Sequence, residues 1–226
     1  MSSPQVGRVL YWADLEPRGP TVQMAIDELL LEYKPASPVL RHYLWDGRCA
    51  SFGVFQSHHT ARAEAPGYTL VRRWTAGGVV RHDRDWTFSL VLPSGSAQAG
   101  ERPGAVYCWI HRAVASVLGR RGIDCRLAGA GDQIAGPSCF QSPASGDVLG
   151  KDGTKLCGGA QRRTKSGVLH QGSLQGVFVE PDFLNELASA MYEYCEAWEP
   201  GPEILAAANG LAASKYGSAS WLNRVP

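Results

Sequence analysis

Arg72-Arg73-Trp74-Thr75-Ala76-Gly77-Gly78-Val79-Val80-Arg81-His82-Asp83 sets a glycine pair between two β-rich runs, residues 68–74 and 79–82. A paired glycine in such a connection lets backbone N–H groups approach a ligand closely. The flanking arginines suit an anionic or carbonyl-bearing ligand. A hairpin turn with surface arginines reads equally well on this stretch alone, because one Gly-Gly carries little information. A second stretch shifts the balance. Lys155-Leu156-Cys157-Gly158-Gly159-Ala160-Gln161 again sheds side chains along a strand, just after a lysine, and His170-Gln171-Gly172-Ser173-Leu174 ends another strand in a small-residue step. Strands that give up side chains in this way usually have something lying against their backbone.

Working outward, residues 6–12, 39–45, 51–55, 86–92, 125–127, 147–150, 155–161 and 168–174 read as further strands or strand-like runs. Val22, Ile26, Leu29, Leu30 and Tyr33 recur at helical spacing between Pro20 and Pro35, predicting a helix over 21–34. Val106, Ile110, Val114, Val117 and Leu118 predict a second, ending near Gly122, and Phe183, Leu187, Met191, Tyr194 and Trp198 a third, broken at Pro200-Gly201-Pro202. A weaker helical tail follows. Residues 56–67, 94–103 and 128–144 read as loops. No repeat and no long linker divides the chain, so the expectation is one α/β (α+β) domain over 1–226, a mixed or antiparallel sheet flanked by helices.

With 44% hydrophobic and 19% charged residues, a packed core is affordable and wholesale disorder is excluded. The net charge of +1 offers no electrostatic case for nucleic acid. There is no signal peptide pattern and no apolar run long enough for a bilayer, which predicts a cytoplasmic chain with no membrane partner. Six cysteines (49, 108, 125, 139, 157 and 195) lack any CxxC pair and are expected to be reduced. No histidine has metal-ligand spacing, so no metal is expected.

Both glycine stretches and His170–Leu174, together with Gln23-Met24-Ala25-Ile26-Asp27-Glu28, the stretch from Leu40 to Gln56 and the tail residues Lys215-Tyr216, Trp221 and Arg224, make the chain resemble the lipoate–protein ligase and octanoyltransferase group of the biotin/lipoate ligase superfamily. The resemblance implies a single biotin/lipoate ligase-like fold. It implies that Arg72, Gly77, Gly78, His82 and Asp83 form the acyl-binding loop and its supports. Lys155 would contact the acyl carbonyl or acyl phosphate, and Gly158, Gly159 and Ala160 would wall the acyl chain. His170 and Gly172 fall in the third matching stretch, and Cys157 reads as pocket wall. Ala76 departs from the family, standing where the first of three glycines is usual.

Two chemistries share that scaffold. A ligase spends ATP, with Mg²⁺, to make a lipoyl-adenylate; a transferase takes octanoyl from a carrier-protein thioester, directly or through a cysteine. Cys139-Phe140 followed by Pro143 resembles the nucleophile segment of the cysteine-dependent octanoyltransferases, and Asp83-Arg84-Asp85-Trp86-Thr87-Phe88-Ser89 resembles the transferase pattern, without the Gly-Asn of ligases. The chain also ends without room for the C-terminal accessory domain that many ligases carry. The expectation is therefore an octanoyl (or lipoyl) transferase with Cys139 and Lys155 as its catalytic residues and no cofactor. Its donor would be octanoyl-acyl carrier protein, and its acceptor a lipoyl domain or a glycine-cleavage H-type protein. An ATP-dependent ligase and a non-catalytic lipoyl-domain binder are the alternatives. A biotin ligase is disfavoured, for want of a Gly-Arg-Gly-Arg-like loop.

Overall fold

Alternating burial is absent from two of the longer strands: Trp86–Pro93 and Gly167–Leu174 are buried at every position, as are the short strands Cys49–Phe52 and Val148–Gly150. A strand is buried on both sides only where both faces of its sheet are covered, and that condition organises the fold. The computed structural model describes residues 4–132 and 143–224. Its strands are β1 (Gln5–Arg18), β2 (Val39–Trp45), β3 (Cys49–Phe52), β4 (Thr69–Arg72), β5 (Val80–His82), β6 (Trp86–Pro93), β7 (Cys125–Leu127), β8 (Val148–Gly150), β9 (Lys155–Thr164), β10 (Gly167–Leu174) and β11 (Tyr192–Ala197). Its α-helices are α1 (Pro20–Glu32), α2 (His58–Glu64), α3 (Pro103–Arg120), α4 (Phe183–Met191), α5 (Pro202–Leu211) and α6 (Ala219–Leu222).

The large sheet runs β11-β1-β2-β6-β10-β9-β8-β7 and the small one β4-β3-β5. Pairing is mixed: β1 is parallel to β2 and β11, whereas β2, β6, β10 and β9 pair antiparallel in turn. Leu40, Phe88, Leu90 and Leu92 pack under α3 and α4, while Val39, Tyr43, Val91 and Leu169 pack under α1 and α5. The chain is thus one mixed α/β domain. Pro20 and Pro103 begin α1 and α3 at a position where a missing N–H costs nothing.

Two expectations about elements need correction. The helix predicted over 183–198 stops at Met191, and Tyr192–Ala197 becomes β11, with Tyr192 opposite Gln5 and Cys195 opposite Val9. An open sheet edge offers a ladder of backbone hydrogen bonds that helical periodicity does not register, so Tyr194 ends up exposed on an edge strand rather than in a helix core. Within the predicted loop 56–67, His58–Glu64 is helical, started by the Ser57 side chain accepting the Thr60 N–H at 3.0 Å.

Candidate active site

The 75–79 connection lies against the backbone of β3. The Arg73 N–H donates to Phe52 O (2.8 Å) and the Val54 N–H to Thr75 O (2.9 Å). A Cβ on Gly53 would come within 2.8 Å of the Gly77 backbone nitrogen, so the approach requires glycine at 53. Gly77 itself has φ +91°, a left-handed conformation that favours glycine. Lys34 is the one non-glycine with positive φ among the described residues, so Ala76 sits at negative φ and the departure from three glycines carries no strain.

Between the two sheets opens a pocket of about 470 Å³, counted to its mouth. The small sheet contributes Ser51, Val80 and His82, and the connection contributes Arg73 and Gly77. The large sheet contributes Tyr43, Trp45, Thr87, Lys155, Gly158–Ala160 and Gln171–Ser173, with Met24 from α1. Thr75 donates to Gln171 Oε1 (2.8 Å) and Gln171 donates to Asp27 Oδ2 (2.7 Å), which ties the glycine connection through β10 to α1. Below it Arg41, fully buried, pairs with Asp27 (2.7 Å) and Asp14 (2.6 Å).

Lys155 owes its position to an irregularity. Val148 faces Cys157 while Leu149 faces Lys155, so β9 carries one extra residue against β8. Such a bulge re-aims a side chain. Lys155 Nζ lies 2.8 Å from Asp147 Oδ2, and these side chains are 7% and 0% exposed. Asp147 also accepts from Tyr107 Oη (2.5 Å) and from the Ala144 N–H (2.6 Å). Tyr107 in turn accepts the Gly159 N–H at 2.9 Å. Burial and the neighbouring Asp147 push the Tyr107 phenol well above its ordinary range, so it remains a neutral donor.

The two glycines of β9 have different jobs. A Cβ on Gly158 would fall 2.5 Å from Lys155 Nζ, so its bare side is where the ammonium lies. A Cβ on Gly159 would fall 2.5 Å from His170 Nε2, and one on Gly172, its cross-strand partner, would run into the Phe88 ring. Those bare sides face α3. The His170 side chain therefore lies outside the pocket lining. It is fully buried against Phe88, Tyr107 and His111, with neither ring nitrogen partnered, and burial holds its pKa well below 6.5.

Of the residues picked out by sequence, the pocket gathers Gly77, His82, Lys155, Gly158, Gly159, Ala160 and Gly172. Gly78 is not in the lining; its carbonyl accepts from Arg73 at 2.9 Å. Arg72 is a support alone, its guanidinium spent on the carbonyls of Val54, Gln56, Leu222 and Arg224. The Asp83 side chain is 45% exposed and bonded to Tyr68; the acid that bonds the pocket residue His82 is Asp85. Cys157 is core rather than wall: it packs with Val148 and Leu174, and burial raises its thiol far above the ordinary value. Burial also raises the thiols of Cys49 (to about 11), Cys125 and Cys195. Cys139 lies outside the described residues.

Sequence reading noted Arg73 only as a flanking arginine, passed over Ser51, Asp147 and Tyr107, and on β10 picked Gly172, whose backbone lines the pocket, and His170, which is not in the lining. Gln171 and Ser173 point into the pocket, while His170 and Gly172 face α3. Alternation was legible there, but the face was not. The β8–β9 bulge that brings Asp147 to Lys155 left no mark in composition or spacing.

The model of the lipoyl protein ligase A/B catalytic domain matches residues 19–191. An octanoyltransferase LipM of Staphylococcus epidermidis is 28% identical over 172 residues, 70% of this chain and 62% of that protein. An octanoyltransferase LipM of Kyrpidia tusciae is 34% identical over 168 residues, 67% of this chain and 60% of that protein. The chain thus spans about six-tenths of the length of these curated relatives. Among solved structures, the bi-partite lipoate protein ligase of Thermoplasma acidophilum, studied with its E2 lipoyl domain, superposes with a TM-score of 0.74 at 20% identity. That superposition covers 97% of this chain and 98% of the other, and shows a shared fold.

Proposed function

The chain belongs to the lipoyl protein ligase A/B catalytic-domain family, and on that premise we propose that it moves a medium-chain acyl group, octanoyl first of all, from a carrier-protein thioester to a lysine of a lipoyl domain. The observation that carries this reading is the Lys155 ammonium held by buried Asp147 against the bare side of Gly158, in a pocket between two sheets. A fixed charge in a largely apolar slot stabilises the oxyanion that forms when an acyl carbonyl is attacked. The octanoyltransferase names of the relatives favour octanoyl as the cargo. The lipoyl domain studied with the archaeal neighbour favours that class of acceptor; a glycine-cleavage H-type protein is the other acceptor proposed.

Cys139 is the proposed nucleophile. The thiols of Cys49, Cys125, Cys157 and Cys195 are all held protonated by burial, which leaves them poor candidates. This route needs neither nucleotide nor metal, because a thioester already carries the activation. Intact-mass spectrometry after incubation with octanoyl-carrier protein, or with ATP and octanoate, tests it. An octanoyl adduct on the wild type, lost together with transfer in Cys139→Ala, is the expected result. Full transfer by Cys139→Ala, with adenylate formed from ATP, would favour the ligase instead.

A further inference from the structure

On the small-sheet side of the pocket Ser51, His82 and Asp85 form a hydrogen-bonded chain. Asp85 Oδ2 lies 2.8 Å from His82 Nδ1, and His82 Nε2 lies 2.7 Å from Ser51 Oγ. The same carboxylate oxygen accepts from Thr87 (2.7 Å) and Ser173 (2.6 Å), which fixes it in place. Burial pushes the Asp85 carboxyl up, but His82 and these hydrogen bonds outweigh it and hold it below the ordinary range. Trp45 stacks on the imidazole at 4.0 Å. A carboxylate on Nδ1 selects the tautomer that leaves the lone pair on Nε2, and that lone pair faces the Ser51 hydroxyl.

Ser51 is not built as a nucleophile. Arg73 donates to its oxygen at 2.8 Å, which draws electron density away from it. A hydroxyl has one proton and two lone pairs. With the proton given to His82 and one lone pair to Arg73, one lone pair remains for a group entering the pocket. Ser51 and His82 both line that pocket. This is the wiring of a proton relay.

We propose that Ser51, His82 and Asp85 accept the proton of the incoming amine in the transfer step, an inference that rests on the acyl-transfer reading above. The C–N bond forms as the neutral amine attacks the thioester carbonyl. The N–H proton passes to Ser51 Oγ, and the Ser51 proton passes to His82 Nε2, leaving an imidazolium paired with Asp85. When the C–S bond breaks, its electron pair leaves with sulfur. The sulfur then takes the relayed proton, so amine plus thioester gives amide plus thiol.

The test separates the half-reactions. Wild type and variants are loaded from octanoyl-carrier protein, isolated, and chased with either lipoyl domain or hydroxylamine, an α-effect nucleophile that is mostly neutral near pH 7. General-base catalysis is worth about 10²–10⁴ in rate, so His82→Gln is expected to slow transfer to the lipoyl-domain lysine by that factor. Its effect on loading and on hydroxylamine cleavage is expected to be smaller by at least about tenfold. Ser51→Ala is expected to show the same split and decides the matter if His82→Gln does not fold. A split below about tenfold in the folded variant, or octanoyl mass on the peptide containing Ser51, overturns the relay while leaving acyl transfer standing. A wild type that takes up no acyl group from the carrier overturns the transfer reading itself.

Discussion

A buried ammonium persists only where an anion and further hydrogen bonds are built around it, and Lys155 has Asp147, itself held by Tyr107 and the Ala144 N–H. Removing the lysine therefore does two things. It takes away the charge that, in the proposed function, would stabilise the acyl oxyanion, and it strips a fully buried carboxylate of its cationic partner. Lys155→Ala should lower turnover by about 10²–10³, the usual worth of one oxyanion donor. It should also cost stability, of the order of 3–5 kcal/mol for a broken buried pair. Lys155→Ala combined with Asp147→Asn should recover most of the melting temperature and none of the turnover. Recovery of turnover in the double variant would show that Lys155 serves the fold alone. Lys155→Arg should not rescue either, because a planar fork cannot occupy a site shaped for a point charge.

The strand β9 shows how one motif can serve two purposes. Gly158 and Gly159 are neighbours in sequence, yet the first leaves room for a flexible lysine tip and the second for a buried imidazole. The sequence alone suggests that bulk at either glycine shortens the acyl slot before it harms the fold. The structure separates the two. Gly158→Ala meets the far end of Lys155, which can swing aside, so it should lower turnover more than it lowers the melting temperature. Gly159→Ala meets His170, which is fully buried and has nowhere to go. It should therefore be destabilising by about 1–3 kcal/mol, the usual cost of overpacking. Thermal melts and transfer rates of the two variants check this. Equal losses of stability would mean that the faces of β9 have been assigned wrongly.

Covering both faces of the large sheet has a consequence for the protein's response to acid. On the α3 side His111 and His170 are fully buried. Burial holds the pKa of His111 down at about 4 and that of His170 well below 6.5, and it lowers that of partly exposed His42 as well. In the unfolded chain all three return to about 6.5. The unfolded state then binds more protons below that pH, so stability is complete above pH 6.5 and falls as the pH drops from 6.5 towards 4. For His111 alone the loss is of the order of 3 kcal/mol across that window, at 1.36 kcal/mol per pKa unit. Melting temperature measured from pH 7.5 to 4.5 should fall mainly below 6.5, and less steeply in His170→Leu. A flat profile would mean that these imidazoles protonate within the fold.

Much of the architecture follows from local chemistry. Hydrophobic periodicity marks α1 and α3, and prolines mark where they start, but β6 and β10, buried at every position, carry Thr87, Ser89, His170, Gln171 and Ser173 among their apolar residues. The two glycine stretches mark the pocket, since a strand that yields its side chains does so wherever it lies. What local chemistry leaves open is direction and partnership. Which side of β10 meets the pocket depends on the helix that covers the other side. Whether Tyr192–Ala197 is helix or strand depends on the open edge of β1. Asp147 reaches Lys155 through a bulge, and Asp85, though it stands within a familial stretch, is matched to His82 only by the bend between β5 and β6. Side-chain identity and spacing fix what a residue is able to do; only packing against distant strands fixes which partner it meets, and the chemistry of this pocket depends on those partners.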